Sequence, residues 1–188
     1  MIHDLLVASV RPETVARNQT WVTGPWTNVN LRGGDDVLWA FSDGAGDGMH
    51  AAVLVTAKFR GKRSVRMFAR SPDRPPKSRN VAAEVDGVRL AVEAASEESG
   101  ASTLVVVSDF LWTAAYLKGI RKVKATDLKE RVDSLEEAVR AAPFELTFVH
   151  HPGHQKGDSL MIRYNDMADR LCGGKPVQLD KKTERSWS

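Results

Sequence analysis

Residues 37–48 read Val37-Leu-Trp-Ala-Phe-Ser-Asp-Gly-Ala-Gly-Asp-Gly48, a short apolar run that is followed by Ser42, Asp43 and several glycines. The run is rich in branched and aromatic residues, which predicts a buried strand over Val37–Ser42. The glycines after it allow a sharp change of chain direction. Asp43 therefore has two interpretations. It caps a turn, as an Asp before Gly commonly does, or it presents a carboxylate at the edge of a sheet.

A hairpin pattern follows this stretch. His50–Phe59 and Ser64–Ala69 both predict strands, and the connection Arg60–Arg63 between them contains a glycine. Short connections of this kind join antiparallel strands. The three prolines of Ser71–Lys77 then predict a loop.

The segment Thr103–Asp109 repeats the opening pattern, because a continuous apolar run again ends in Ser-Asp. Such runs are typical of strands that are buried on both faces of a sheet. A helix is predicted over Phe110–Tyr116, so Asp109 is either its N-cap or a second carboxylate at the sheet edge. Glu145–His150 alternates between polar and apolar residues and predicts a fifth strand.

Three longer helices are predicted by apolar residues that recur every three to four positions. They cover Asn80–Glu98, Thr126–Ala142 with Thr126 as the N-cap, and Ser159–Cys172. The order of elements predicts an α/β fold with a five-stranded mixed sheet, three antiparallel hairpin strands plus two parallel strands, flanked by helices.

Glu84 lies on the apolar stripe of the first of these helices, between Val81 and Val88. A carboxylate that points at a core is costly unless it is paired or bound to a metal. Alternatively, Glu84 lies at the edge of the stripe and interacts favourably with the helix dipole.

Four acidic residues thus occupy positions from which they can converge: Asp43, Glu84, Asp109 and Asp169. Sites in α/β sheets form at strand ends, where Asp43 and Asp109 are predicted. Clustered carboxylates raise one another's pKa unless a cation is present, and oxygen-only ligands select Mg²⁺ or Mn²⁺. Two such ions would support an in-line displacement at phosphorus.

Length and composition restrict the class of protein. The 188 residues fit one domain, and neither a membrane-length apolar run nor a signal peptide is evident. Cys172 is the sole cysteine, which excludes a disulfide framework and a zinc site built from cysteines, and makes a cytoplasmic location the expectation. Net charge is only +3, but basic residues dominate Lys58–Arg79. This basic segment either binds a polyanion or protects an exposed edge strand from aggregation.

Taken together, these residues resemble the motifs of bacterial-type ribonuclease H. The motifs, in chain order, are Asp43-Gly44 after a strand, Asn80-x-x-x-Glu84 opening a helix, Asp109 ending a strand, His151-Pro-Gly-His154, and Asn165-x-x-x-Asp169 on a late helix. The resemblance covers residues 37–173. Residues 1–36 are then an irregular N-terminal segment, and residues 174–188 form a polar tail.

The resemblance implies a metal-dependent endonuclease that hydrolyses the RNA strand of RNA–DNA hybrids. It implies that two Mg²⁺ ions, for which Mn²⁺ substitutes, are held by the four acidic residues, and that His151 assists proton transfer or product release from a mobile loop. Gly44, Ala45 and Asn80 would contact the hybrid. We expect a monomer with no membrane partner.

Some positions depart from the family pattern. Phe110 follows the third acidic residue where the family often has a small polar residue, and the basic protrusion is reduced to Lys118, Arg121, Lys122 and Lys124. His150 and His154 are alternatives to His151. Two other functions stay open: a nuclease of the same fold that acts on DNA or structured nucleic acid, and a non-catalytic nucleic-acid-binding module.

Overall fold

The computed structural model describes residues 9–10, 36–55, 65–72, 76–98, 100–117, 119, 121–151, 153, 156–157 and 159–177. Within these ranges the chain forms six strands and four helices. The strands are β1 (Ser9–Val10), β2 (Val37–Gly44), β3 (His50–Val55), β4 (Val65–Arg70), β5 (Thr103–Ser108) and β6 (Glu145–His150). The helices are α1 (Arg79–Ser96), α2 (Leu111–Leu117), α3 (Thr126–Ala141) and α4 (Leu160–Cys172).

The strands form one mixed sheet in the order β4-β3-β2-β5-β6-β1. Strands β2, β3 and β4 pair as antiparallel hairpins, β5 runs parallel to β2, and β6 runs parallel to β5. This confirms the predicted arrangement of three antiparallel and two parallel strands. The two-residue strand β1 pairs antiparallel with β6 and was not predicted, because residues 1–36 show no alternation of apolar and polar residues.

Helices cover both faces of the sheet. Helices α1 and α3 pack on one face, where Leu38 and Ala40 of β2 point, and α4 packs on the other, where Trp39 and Phe41 point. Burial on both faces is the reason that the sequences of β2 and β5 are almost continuously apolar. The alternation along β2 also places the next odd-numbered residue, Asp43, on the α4 face.

Strand β2 is longer than the sequence predicted. It continues through Asp43 and Gly44, because these residues pair with Ala51 and His50 of β3. The chain turns only after them, over 45–49, where the N–H of Ala45 donates to the carbonyl of Met49. Gly48 has φ +96°, a conformation that favours glycine. Asp43 is therefore a strand residue and not a turn cap.

The helix boundaries agree with the predicted ones to within two residues, with one correction at a cap. Ala125 occupies the N-cap position of α3 in extended conformation, and Thr126 is the first helical residue. The predicted capping role of Thr126 is therefore wrong, since the extended backbone that a cap requires occurs one position earlier. At α4, the Ser159 side chain accepts a hydrogen bond from the N–H of Ile162.

The basic segment is described in part. On β4, Arg66 pairs with Glu98, and Arg70 Nη1 lies 2.9 Å from Glu93 Oε2. Pairing with acids of the α1 region favours the edge-strand interpretation for these two arginines. Lys58, Arg60, Lys62, Arg63 and Arg74 lie outside the described residues, as do the predicted strand beyond Val55 and the tail from residue 178. No helix in the described ranges is long and apolar enough to cross a membrane.

Candidate metal centre

The sheet register brings Asp43 and Asp109 together. Strands β2 and β5 run parallel with Ser42 opposite Ser108, so the residue after each serine lies at the same edge of the sheet. Both aspartates follow the alternation that points to the α4 face, and both are half-buried. Helix α2 begins at Leu111, two residues beyond Asp109, so Asp109 precedes the cap position of that helix. The carboxylate interpretation of both residues is therefore favoured over capping.

Glu84 reaches the same place from α1 because two glycines let that helix approach β2. A Cβ on Gly44 would lie 2.4 Å from the backbone nitrogen of Glu84, and a Cβ on Gly87 would lie 2.9 Å from the carbonyl oxygen of Asp43. Glu84 is the sixth residue of α1 and is only 8% exposed, which argues against a role at the helix dipole. Its Oε2 is buried without a hydrogen-bond partner among the described residues.

Helix α4 contributes Asp169 and, unexpectedly, Cys172. The Cys172 thiol lies 3.3 Å from Asp43 Oδ2, to which it donates, and 3.2 Å from the carbonyl oxygen of Asp169. Asn165, one turn before Asp169, is buried and lies on the wall of the same cavity. The residues Asn165, Asp169 and Cys172 thus present one face of α4 to the strand ends.

The side chains form two groups of three that share Asp43. In one group the ligand atoms of Asp43, Glu84 and Asp109 all lie within 4.8 Å of one another, and in the other those of Asp43, Asp169 and Cys172 do. The structure therefore brings together all four predicted carboxylates. A buried carboxylate oxygen without a donor, next to two further carboxylates, fits a divalent cation.

The electrostatics of the cation-free site point the same way. Burial, together with the negative charges of Asp43 and Asp109, raises the pKa of Glu84 to about 10. Burial and the charge of Asp109 raise the pKa of Asp43 to about 6, against the opposing hydrogen bonds from the Cys172 thiol and the Gly44 N–H. Burial and the Asp43 charge also raise the pKa of the Cys172 thiol. Without a cation, the site therefore holds a proton at neutral pH.

A cavity of about 620 Å³ opens over these carboxylates. Its wall includes three basic side chains, those of Lys156, Arg163 and Lys175. These positively charged side chains stand beside the cluster of carboxylates. They can therefore attract a phosphodiester toward metal ions bound by the carboxylates.

His151 lies on the wall of this cavity and is 1% exposed. Its backbone N–H donates to the carbonyl of Ser108, so its backbone is joined directly to the end of β5. The ring of the neighbouring His150 lies 2.9 Å, through Nε2, from the carbonyl oxygen of Asp109. His154 lies outside the described residues. Of the two described histidines, His151 is therefore the one at the cavity.

Two of the three predicted substrate-contact residues line the cavity, and the third lies beside the adjoining loop. Gly44 and Ala45 line the cavity, and Asn80 is exposed at the start of α1. A Cβ on Gly46 would lie 2.9 Å from the Asn80 carboxamide oxygen, so this loop passes close to Asn80. Asn80 and the loop therefore form one side of the approach to the site.

Sequence reasoning did not identify Cys172 or Gly153 as site residues. Cys172 follows Asn165 and Asp169 at spacings of seven and three, which place the three on one helical face, and this signal could have identified it. Gly153 packs against the third acid, because a Cβ there would lie 2.4 Å from Asp109 Oδ2. Gly153 lies within the His151-Pro-Gly-His154 motif, but that motif does not predict its contact with Asp109, since the contact is between separate segments.

Comparison with solved structures shows the fold. An N-terminal RNase H domain from Mycobacterium tuberculosis, solved as a fusion with maltose-binding protein, superposes with a TM-score of 0.51 at 19% identity, over 74% of this chain and 98% of that one. LC11-RNase H1 in complex with an RNA/DNA hybrid gives 0.50 at 19% identity, over 73% and 95%. The protease-reverse transcriptase of prototype foamy virus gives 0.51 at 14% identity, over 85% of this chain and 23% of that one.

No protein-family model matches the sequence, and no curated protein matches it significantly. The solved structures nevertheless establish the class at the level of architecture, since they share the mixed sheet and its flanking helices with this chain. The chain has the ribonuclease H-like fold.

Proposed function

We propose that the protein is a ribonuclease H, a metal-dependent endonuclease that hydrolyses the RNA strand of RNA–DNA hybrids, with residues 37–173 as its catalytic domain. The observation that carries the proposal is the pair of three-residue groups that share Asp43 at the ends of two parallel strands. The fold, the cation-free pKa values and the basic cavity wall support it. LC11-RNase H1, which has the same fold, was solved with an RNA/DNA hybrid.

In this proposal, Asp43, Glu84, Asp109 and Asp169 hold two Mg²⁺ ions, for which Mn²⁺ substitutes. Bound there, the ions would activate a water nucleophile and stabilise the leaving oxygen. The Glu84 carboxyl, whose pKa is about 10 without a cation, would have to release its proton to act as a ligand, so cation binding there would be linked to proton release. Asp43 belongs to both groups and therefore couples the two positions.

Other residues would position the substrate and move protons. His151 lies on the cavity wall, and an imidazole can both donate and accept a proton, so we assign to it proton transfer or product release. Gly44 and Ala45 line the cavity and Asn80 lies beside the adjoining loop, so we assign to their backbone and amide groups the contacts with a sugar that carries a 2′-hydroxyl. A monomer in the cytoplasm is part of the proposal, and light scattering tests its oligomeric state.

Cleavage of a hybrid with each strand labelled in turn tests the proposal. With Mg²⁺ we expect cuts in the RNA strand alone, and none after chelation. Asp43→Asn should lower the rate at least about 100-fold, since even a group that only supports a metal ligand is worth about 10–100-fold. Glu137→Gln, an equal change of charge on the exposed face of α3, is the control.

Two results would overturn the proposal: an RNA strand that stays intact in Mg²⁺ and in Mn²⁺, or an Asp43→Asn variant as active as wild type. A parallel panel with duplex DNA and duplex RNA separates the alternative substrates. Cleavage of duplex DNA in place of the hybrid would assign the same site to a DNA nuclease, and metal-independent binding without cleavage would indicate a binding module.

A further inference from the structure

The one cysteine of the chain lies inside the candidate metal centre. Cys172 is the last residue of α4, one turn after Asp169, and it is 4% exposed. Its Sγ is 3.3 Å from Asp43 Oδ2 and belongs, with Asp43 and Asp169, to the second group of potential ligands. The first group offers oxygen atoms alone. The two cation positions therefore differ in the chemistry of their ligands.

The spacing of these atoms suits a shared cation. A tetrahedral cation with metal–sulfur and metal–oxygen bonds of about 2.3 and 2.0 Å holds its sulfur and oxygen ligands roughly 3.5 Å apart. The observed 3.3 Å between Cys172 Sγ and Asp43 Oδ2 is close to that value. Thiolate ligands favour borderline and soft ions such as Zn²⁺, Co²⁺ and Cd²⁺, whereas Mg²⁺ prefers oxygen.

We propose that the position formed by Asp43, Asp169 and Cys172 binds a thiophilic divalent cation, with Zn²⁺ as the natural candidate, through the Cys172 sulfur. On binding, the S–H bond breaks, a sulfur–metal bond forms, and the proton passes to solvent with no change of oxidation state. In Mg²⁺ alone, the carboxylates of Asp43 and Asp169 hold the second Mg²⁺ of the proposed function, and a thiophilic ion, when present, takes its place through the added sulfur ligand. The inference rests on the cation-binding part of the proposed function and needs no nuclease activity.

A simpler role for Cys172 makes different predictions. If the thiol only donates a hydrogen bond to Asp43, a serine hydroxyl replaces it and no cation touches sulfur. Cys172→Ser keeps a donor of similar size and loses the thiolate, whereas Cys172→Ala loses both. Because the chain has no other cysteine, any thiolate–metal signal from wild type reports on this position alone.

Cobalt titration of the metal-free full-length protein, without nucleic acid, distinguishes the two roles. Wild type should show a near-ultraviolet sulfur-to-cobalt charge-transfer band that saturates at one equivalent. We expect Cys172→Ser and Cys172→Ala to lack the band, and Asp169→Asn to weaken it. Zinc should abolish the band by displacement, whereas Mg²⁺ in equal amount should not.

Calorimetry provides the second measurement. Cys172→Ser should weaken Zn²⁺ binding by at least about 10-fold, the lower limit for groups that merely support a ligand, and should weaken Mg²⁺ binding far less. Circular dichroism confirms that each variant is folded. Saturating Co²⁺ that binds wild type without a charge-transfer band would overturn the inference, as would equal Zn²⁺ affinity in Cys172→Ser.

Failure of this inference is distinguishable from failure of the proposed function. Hybrid cleavage in Mg²⁺ without a charge-transfer band in Co²⁺ would leave the nuclease assignment standing and remove the sulfur ligand. A charge-transfer band without cleavage of any nucleic acid would support the sulfur ligand and overturn the nuclease assignment.

Discussion

At the scale of single residues, the site is defined by a conflict between burial and charge. Glu84 is buried beside Asp43 and Asp109, and its Oε2 has no donor among the described residues. A carboxylate in such a place either keeps its proton or requires a cation. The close, buried arrangement of these carboxylates therefore favours cation binding and lowers the stability of the fold when no cation is bound.

This cost predicts how stability depends on pH. In the cation-free protein Glu84 has a folded pKa of about 10 against an ordinary 4.5, so the folded state holds a proton that the unfolded chain has released. Stability is therefore highest below pH 4.5 for this group and falls as pH rises toward 10. Asp43 contributes in the same direction between 3.8 and about 6.

Thermal denaturation of wild type, Glu84→Gln and Glu137→Gln in a chelator measures the effect. We expect Glu84→Gln to gain stability over wild type as pH rises, while Glu137→Gln follows the wild-type slope. Excess Mg²⁺ should raise the wild-type midpoint most at high pH. A stability difference between Glu84→Gln and wild type that is constant across this range would contradict the prediction.

Gly153 provides a second test at this scale. A Cβ there would meet Asp109 Oδ2 at 2.4 Å, and the end of an aspartate side chain can rotate away where backbone could not. Gly153→Ala should therefore leave the melting temperature nearly unchanged and weaken Mg²⁺ binding by about 10–100-fold, as loss of ligand support does. Thermal denaturation measures the melting temperature, and calorimetric titration measures the Mg²⁺ affinity. A variant with wild-type Mg²⁺ affinity would show that Asp109 does not depend on this contact.

At the scale of secondary-structure elements, the site depends on the close packing of β2 against α1. Gly44 of β2 faces α1, and Gly87 of α1 faces β2, at distances that leave no room for a Cβ. The register of β2 with β5 fixes Asp43 relative to Asp109, and α1 packing fixes Glu84 relative to both. Each pair of carboxylates is therefore held by a different contact between elements.

Gly44→Ala should separate β2 from α1. Its Cβ would lie 2.4 Å from backbone atoms of Ala83 and Glu84, which cannot rotate away, so we expect a loss of about 1–3 kcal/mol or more. Cation affinity should fall as well, since Glu84 moves relative to Asp43. Gly100→Ala is the control: its Cβ meets nothing within 4 Å, and its φ of +84° costs about 1–2 kcal/mol.

Chemical denaturation and Mg²⁺ titration of both glycine variants separate the effects. Only Gly44→Ala should lose cation affinity, because Gly100 precedes β5, at the end of that strand opposite to Asp109, and a Cβ there would meet nothing within 4 Å. Equal Mg²⁺ affinities for the two variants would show that the spacing of β2 and α1 does not set the geometry of the site.

The elements also show how far the sequence predicts this fold. Sequence patterns located all five main strands and placed Glu84 at or beside the apolar stripe of α1, because each is a property of a continuous segment. The extension of β2 through Gly44 depends on pairing with β3, and the place of Cys172 depends on how α4 crosses the sheet. Such features arise from contacts between distant segments, which local patterns do not encode. The roles of the site residues stay predictions.

At the scale of the whole molecule, a buried ion cluster joins the helices on the face opposite α4. Asp86 of α1 is 1% exposed and pairs with Arg131 of α3. Arg89 Nη2 lies 3.6 Å from Asp86 Oδ1. His50 of β3 lies beside the cluster. Its pKa is lowered mainly by burial and, to a smaller extent, by the positive charges of the nearby arginines. The ion pairs of the cluster therefore join α1 to α3, next to His50 at the start of β3.

Asp86→Leu should destabilise the fold by about 3–5 kcal/mol, because it leaves partly buried arginines without their counter-charge. The double variant with Arg131→Leu should recover much of that loss, since it removes the stranded charge as well. Asp133→Asn, which removes an acid from the exposed face of α3, should have no measurable effect. Denaturant unfolding gives the three free energies. Two results would contradict this prediction. Asp86→Leu could prove as stable as Asp133→Asn, or the double variant could prove less stable than Asp86→Leu alone. Either result would show that the ion cluster does not hold α1 and α3 together.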